Sequence, residues 1–214
     1  MAKLLKVAAL ISGRGSNLQA LIDAAKQPDY PAEIVAVISN KADAKGLDRA
    51  KAAGIKTHVV NHKEFDGRDA FDAALHETIV KSGANFVCLA GFMRLLTPGF
   101  VRKWEGKMIN IHPSLLPAFK GAHAHEDVIK SGVKLSGCTV HFVVPEMDAG
   151  PIIMQAAVPV LNGDTAETLA ARVLEVEHKT VPAALKLIAE GKVKADGKVA
   201  TNTKAGGFLI SPGL

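Results

Sequence analysis

Leu4-Leu5-Lys6-Val7-Ala8-Ala9-Leu10-Ile11-Ser12-Gly13-Arg14-Gly15-Ser16-Asn17-Leu18-Gln19 decides the fold. Residues 4–11 form a nearly unbroken apolar run. A strand covered on both faces has this pattern, and such strands belong to parallel sheets. Ser12-Gly13-Arg14-Gly15 then makes a turn. Ser16, with Gln19 three residues on, has the form of a capping box, so a helix is expected from Ser16 to about Lys26. A Gly-rich turn that enters a helix presents backbone N–H groups and a positive dipole end, which suits a phosphate. Leu18 stands where a dinucleotide fingerprint has its third glycine, and there is no P-loop lysine. The ligand expected at Gly15, Ser16 and Asn17 is therefore a mononucleotide or sugar phosphate.

Outward from this stretch, strand and helix patterns alternate. Strands are expected at 33–39, 57–60 and 86–90. Helices are expected at 45–53, ended by Gly54, and at 68–82, ended by Gly83, with a short one opening at Pro98. This alternation predicts an α/β fold, a mostly parallel twisted sheet with helices on both faces. The second half changes character. Runs at 108–111, 138–144 and 152–160 follow one another with short connections, which predicts antiparallel additions. Asp164-Thr165-Ala166-Glu167 reads as a second capping box. It opens a long helix with Leu169, Val173 and Val176 on one face, and Pro182 is expected to kink or interrupt it. One domain is expected over residues 1–190, with an extension at 191–214 made of a short hairpin and a frayed tail.

Composition narrows the function. The 214 residues are 48% hydrophobic and 22% charged, with a formal net charge of +5. The basic residues are scattered and aromatics make up only 5%, so no nucleic-acid surface is expected and small anionic substrates are. No apolar stretch reaches the roughly 18 residues of a membrane span, and the N-terminus lacks a cleavage-site pattern. Cys88 and Cys138 lie in apolar runs outside any Cys-x-x-Cys pair, and are expected to be buried and reduced.

Two further segments carry chemistry. In Asn110-Ile111-His112-Pro113, the first and third residues share one face of a strand that Pro113 stops. A His supplies a movable proton and an Asn amide a fixed donor to a developing oxyanion. The alternative is a polar pair that ties down a loop. Asp148 lies in the turn Pro145-Glu146-Met147-Asp148-Ala149-Gly150-Pro151. It either orients a His or stabilises the turn. His123 and His125 make a His-x-His pair that is short of ligands for a metal, so none is expected. Residues 114–130, rich in Gly and Ala, are expected to form a mobile loop.

Taken together, Ile11-Ser12-Gly13-Arg14-Gly15-Ser16-Asn17-Leu18-Gln19, Leu89-Ala90-Gly91-Phe92-Met93-Arg94, Asn110-Ile111-His112-Pro113-Ser114-Leu115-Leu116-Pro117 and residues 137–151 resemble the folate-dependent formyltransferase family, with its Rossmann-like fold. The resemblance implies transfer of the formyl group of 10-formyltetrahydrofolate to the amine of glycinamide ribonucleotide, in purine biosynthesis. It implies Asn110, His112 and Asp148 as the catalytic trio. Gly15, Ser16 and Asn17 would hold the ribonucleotide phosphate and Glu177 the ribose hydroxyls. Met93, Arg94, Leu95 and Leu96, with Asn110, would line the folate site, and Arg68 and Arg94 would meet the folate carboxylates. Small-molecule partners, no metal, a cytoplasmic location and a monomer or homodimer are implied too. Family members that hydrolyse the donor or formylate an initiator tRNA carry a further domain, so the amine-formylating type is expected. Pro145 and Lys120 depart from the family pattern, both in loops.

Overall fold

The computed structural model describes residues 4–196, 199–202 and 208–210. The chain divides into two compact units, residues 1–109 and 110–214. In the first, β1 (Leu5–Ile11) pairs in parallel with β2 (Ala32–Ser39) and β4 (Phe86–Leu89), and β3 (Lys56–Val59) adds in parallel to β2. The order is β4-β1-β2-β3. Val7 to Ile11 are all buried, as the central place of β1 requires.

Helix α1 (Ser16–Ala25) links β1 to β2, α2 (Gly46–Ala52) links β2 to β3, and α3 (Arg68–Lys81) leads back to β4. The chain steps one way along the sheet through α1 and α2 and returns through α3. Right-handed crossovers therefore put α3 on the face opposite the other two. Phe71, Leu75 and Ile79, four residues apart, are the buried stripe of α3. Thr97 caps α4 (Pro98–Lys103) by accepting from the Phe100 amide, with Pro98 at the first helical position.

Strand β5 (Met108–His112) begins in the first unit and ends in the second. In the second, β6 (Leu135–Phe142) and β7 (Ile152–Pro159) pair antiparallel, as expected from their short connection. Helix α5 (Ala124–Ser131) ends at Gly132, and α6 (Ala166–Ala189) lays Leu169, Val173 and Val176 against Val128, Cys138, Ala156 and Val158. β8 (Val193–Asp196) and β9 (Val199–Asn202) pair antiparallel, and β10 (Phe208–Ile210) lies parallel to β7. Of the extension expected at 191–214, residues 197–198, 203–207 and 211–214 lie outside the described residues, and the expected frayed tail falls among them.

Several local expectations are corrected. Helix α1 has no side-chain cap. Gly15, left-handed at φ 69°, is its N-cap and Ser16 its first helical residue. The box that opens α6 is Thr165 with Thr168, one residue later than read. Thr168 accepts from the Thr165 amide, and Asp164 instead takes two guanidinium bonds from Arg172, at 2.7 and 2.8 Å. Helix α6 runs on through Pro182. Residues 114–130 are not loop throughout. Thr139 Oγ1 donates to the Ser114 carbonyl (2.7 Å) and accepts from the Leu116 amide (3.0 Å), and α5 takes up the segment's end.

Candidate active site

In the first unit the glycine turn lies at the carboxyl end of β1, the edge where open parallel sheets bind ligands. Its shape comes from packing with α2. A Cβ on Gly15 would come within 2.6 Å of Gly46 Cα, so the two backbones touch. The Gly46 amide donates to the Gly13 carbonyl (3.0 Å), and Arg49 Nε donates to the Arg14 carbonyl (2.9 Å). The first intrahelical bond of α1 runs from the Gln19 amide to Gly15. The N-cap Gly15 makes no side-chain cap bond, and the expected phosphate site at Ser16 and Asn17 falls on this helix end.

Residues 91–96 lie on the same edge. Met93 and Leu95 are 72% and 58% exposed, while Leu96 is buried. The Arg94 guanidinium stacks over the Phe71 ring at 5.2 Å, and Arg68 is exposed at the start of α3. The fold thus turns two apolar side chains outward near 94 and places a second cation on the helix that carries Phe71.

In the second unit three elements converge. Asn110 and His112 end β5, His141 nearly ends β6, and Asp148 lies in the turn before β7. Gly150 makes that turn possible, because a Cβ there would fall 1.7 Å from the Phe142 carbonyl oxygen. The Phe142 amide donates to the Pro151 carbonyl (2.9 Å), and Asp148 adopts φ 51°, a left-handed conformation that Asp tolerates. The turn is folded back so that Asp148 Oδ2 lies 3.4 Å from His112 Nδ1 and accepts the Gly121 amide at 2.9 Å. Asp148 Oδ1 lies 3.8 Å from His141 Nε2.

The other His112 nitrogen, Nε2, donates to the Phe119 carbonyl at 2.8 Å. Both ring nitrogens thus face oxygens that only accept. Both are engaged as the site stands. A substrate oxygen must take over from one of these partners.

Asn110 does not meet His112 directly. Its amide donates to His141 Nε2 at 3.4 Å. His141 Nδ1 donates to the Phe142 carbonyl (2.9 Å), which leaves Nε2 as the acceptor. Burial pushes the His141 pKa down. The Phe142 bond and Asp148 oppose this, and His112 and Lys120 add to it. A neutral ring with its lone pair toward Asn110 follows. His125 is also held low, by burial first and His112 second, whereas His123 faces Glu126 at 3.3 Å. Among the described residues no group of three or more His, Cys, Asp or Glu could hold a metal ion. Glu177 is buried on α6. It adds to burial in pushing the Cys138 thiol up to about 12, and burial alone takes Cys88 to about 12, so both thiols are inert.

With this geometry in view, known proteins are informative. Residues 5–185 match the formyl transferase family. The chain belongs to that family. This formyl transferase is 46% identical to the phosphoribosylglycinamide formyltransferase of Escherichia coli, over 89% of the chain and 90% of that protein. It is 59% identical to the bovine trifunctional purine biosynthetic protein adenosine-3 over 88% of the chain, but spans only 19% of that relative's length. The solved phosphoribosylglycinamide formyltransferase of Anaplasma phagocytophilum superposes with a TM-score of 0.91 at 49% identity, covering 98% of this chain and 99% of that one. The expected α/β architecture, parallel with antiparallel C-terminal strands, is borne out.

In this formyl transferase, reading the sequence alone missed His141. Its signal was a histidine inside an eight-residue strand whose last seven residues are all buried, where an unpaired imidazole is costly. It also missed Asn40, and read Ser12 only as part of the glycine turn; both are buried at strand ends.

Proposed function

We propose that this formyl transferase moves the formyl group of 10-formyltetrahydrofolate onto the amine of glycinamide ribonucleotide, a step of purine biosynthesis. The observation that supports it most is the cluster of Asn110, His112, His141 and Asp148, in a chain alike along nearly its whole length to phosphoribosylglycinamide formyltransferases.

The amine lone pair attacks the formyl carbon, and the carbonyl oxygen takes the π electrons. The Asn110 amide and protonated His112 donate to that oxyanion. Asp148 orients His112, or organises the water that relays protons. Collapse of the intermediate breaks the bond to the folate nitrogen, which leaves with a proton while the new amide gives one up. Gly15, Ser16 and Asn17 take the substrate phosphate and Glu177 the ribose hydroxyls. Met93, Leu95 and Leu96 contact the folate ring system, with Arg68 and Arg94 for its carboxylates. The same reading gives the chain small-molecule partners, a cytoplasmic setting and a monomeric or homodimeric state. No helix among the described residues is long and apolar enough to cross a membrane.

The test follows loss of the formyl group from the folate spectroscopically, with and without glycinamide ribonucleotide. Turnover that requires the amine supports the reading. Equal turnover without it makes the enzyme a hydrolase of the donor.

A further inference from the structure

We propose that Ser12 is a positioning residue for the folate donor. It fixes the backbone of residues 91–93 through a hydroxyl that is hydrogen-bonded in both directions. The inference rests on the functional reading above, which gives residues 93–96 to the folate.

Ser12 follows β1 directly and is 5% exposed. Its hydroxyl accepts the Met93 amide at 2.8 Å and donates to Asn40 Oδ1 at 2.5 Å. Its own amide donates to the Gly91 carbonyl at 3.0 Å. One residue thus holds both ends of a three-residue segment. Asn40 is buried just beyond β2, and its backbone carbonyl accepts from His62 Nδ1 at 2.9 Å. The serine is therefore braced from the neighbouring strand.

Packing does not explain a hydroxyl in this place. Alanine fills nearly the same volume, but would leave the Met93 N–H and the Asn40 oxygen without this partner. Met93, at the end of the held segment, is 72% exposed, and Leu95, two residues on, is 58% exposed. Exposed apolar side chains on a pinned backbone make a preorganised platform for a flat ring. The glycine turn is braced by different groups, Gly46 behind Gly13 and Arg49 behind Arg14. Loss of the Ser12 hydroxyl should therefore loosen residues 91–93 and spare the phosphate site.

The experiment compares Ser12→Ala, Asn40→Ala and Ser12→Thr with the wild type. It measures Michaelis constants for both substrates, turnover, calorimetric binding of ribose 5-phosphate and of tetrahydrofolate, and Met93 amide exchange. Ser12→Ala should raise the donor Michaelis constant about tenfold. Turnover and ribose 5-phosphate affinity should change less than about threefold, and the Met93 amide should lose protection. Asn40→Ala should give the same pattern more weakly, and decides the matter should Ser12→Ala not fold. Ser12→Thr, which keeps the hydroxyl, should restore the donor constant. An unchanged donor constant, or a parallel rise for both substrates, overturns the inference. A wild-type chain that binds no tetrahydrofolate overturns the functional reading along with it.

Discussion

Replacing Asp148 by Asn removes a charge while leaving the geometry satisfiable. In the native turn Oδ2 accepts from the Gly121 amide and faces His112, whereas Oδ1 faces His141 Nε2. An amide with its oxygen at the Oδ2 position keeps the first two partners. Its NH2 then points at the His141 lone pair, which the Phe142 bond leaves free to accept. The turn should therefore close as before, and only the electrostatics should change.

The size of that change follows from the 3.4 Å separation between His112 and Asp148. Two unit charges at this distance attract by about 5 kcal/mol at an effective dielectric near 20. Much of this is offset by desolvation, because the two side chains are only 6% and 10% exposed. What reaches the rate is the part that differs between ground and transition states. One oxyanion donor or acid–base group is worth on the order of 10² to 10³ in turnover. Asp148→Asn should then lower turnover on the order of 10² and leave both Michaelis constants within about threefold. His112→Ala and the double variant should lose about as much as each other, since groups acting as a unit are not additive. The assay is loss of the folate formyl group under saturating amine, repeated across roughly pH 6 to 9. Near-full turnover throughout that range would refute the argument. Asp148 would then only stabilise its turn, and His112 would act with Asn110 alone.

Other consequences follow. Gly15→Val should abolish ribonucleotide binding and leave folate binding nearly intact, measured by separate calorimetric titrations. The new Cβ meets the Gly46 backbone at 2.6 Å and Gly15 has φ 69°, so the turn itself must move; equal loss of both ligands would instead mean a folding defect. Gly150→Ala should cost about 2–4 kcal/mol in denaturant unfolding and most of the turnover, because its Cβ meets the Phe142 carbonyl at 1.7 Å. Native stability and turnover would show that the Asp148 turn is not built on that contact. His76, His125 and His141 are all held below their ordinary value, each chiefly by burial. The unfolded chain therefore binds more protons below about pH 6.5, so stability should fall as pH drops through about 6.5 and be fully present above it. Melting temperatures across that range check this. His141→Gln should flatten the slope, and an unchanged slope would show that His141 does not contribute.

Much of the architecture was legible because its signals are local. An apolar run, a Gly-rich turn and strand–helix alternation give β1, α1 and the parallel unit. The short connection between two apolar runs gives the antiparallel pair β6 and β7. The errors arose where two neighbouring residues could fill one role. Either Asp164 with Glu167 or Thr165 with Thr168 could have capped α6. The Asp164 carboxylate is taken up by the Arg172 guanidinium and the Thr168 hydroxyl, so Thr165 caps the α6 amides instead, and Arg172 holds the Asp164 carboxyl well below the usual range. Gly15 displaced Ser16 as the cap of α1 for a similarly distant reason, the close approach of Gly46 some thirty residues on.

The site was legible as residue types but not as connections. Asn110, His112 and Asp148 each carry recognisable chemistry, yet nothing near them in the chain says that His141 lies beside both Asn110 and Asp148. That link depends on register. The β6–β7 pairing shifts between Val140 and His141, passing from Val140 opposite Met154 to His141 opposite Ile152. Such an irregularity re-aims the side chains beside it. It occurs next to Gly150, where the missing Cβ lets the returning strand press on the Phe142 carbonyl. The bend that brings Asp148 over two imidazoles and the register that turns His141 toward Asn110 therefore belong to one local deformation of the hairpin. A substitution that relaxes the bend should release both histidines together, even though neither is altered.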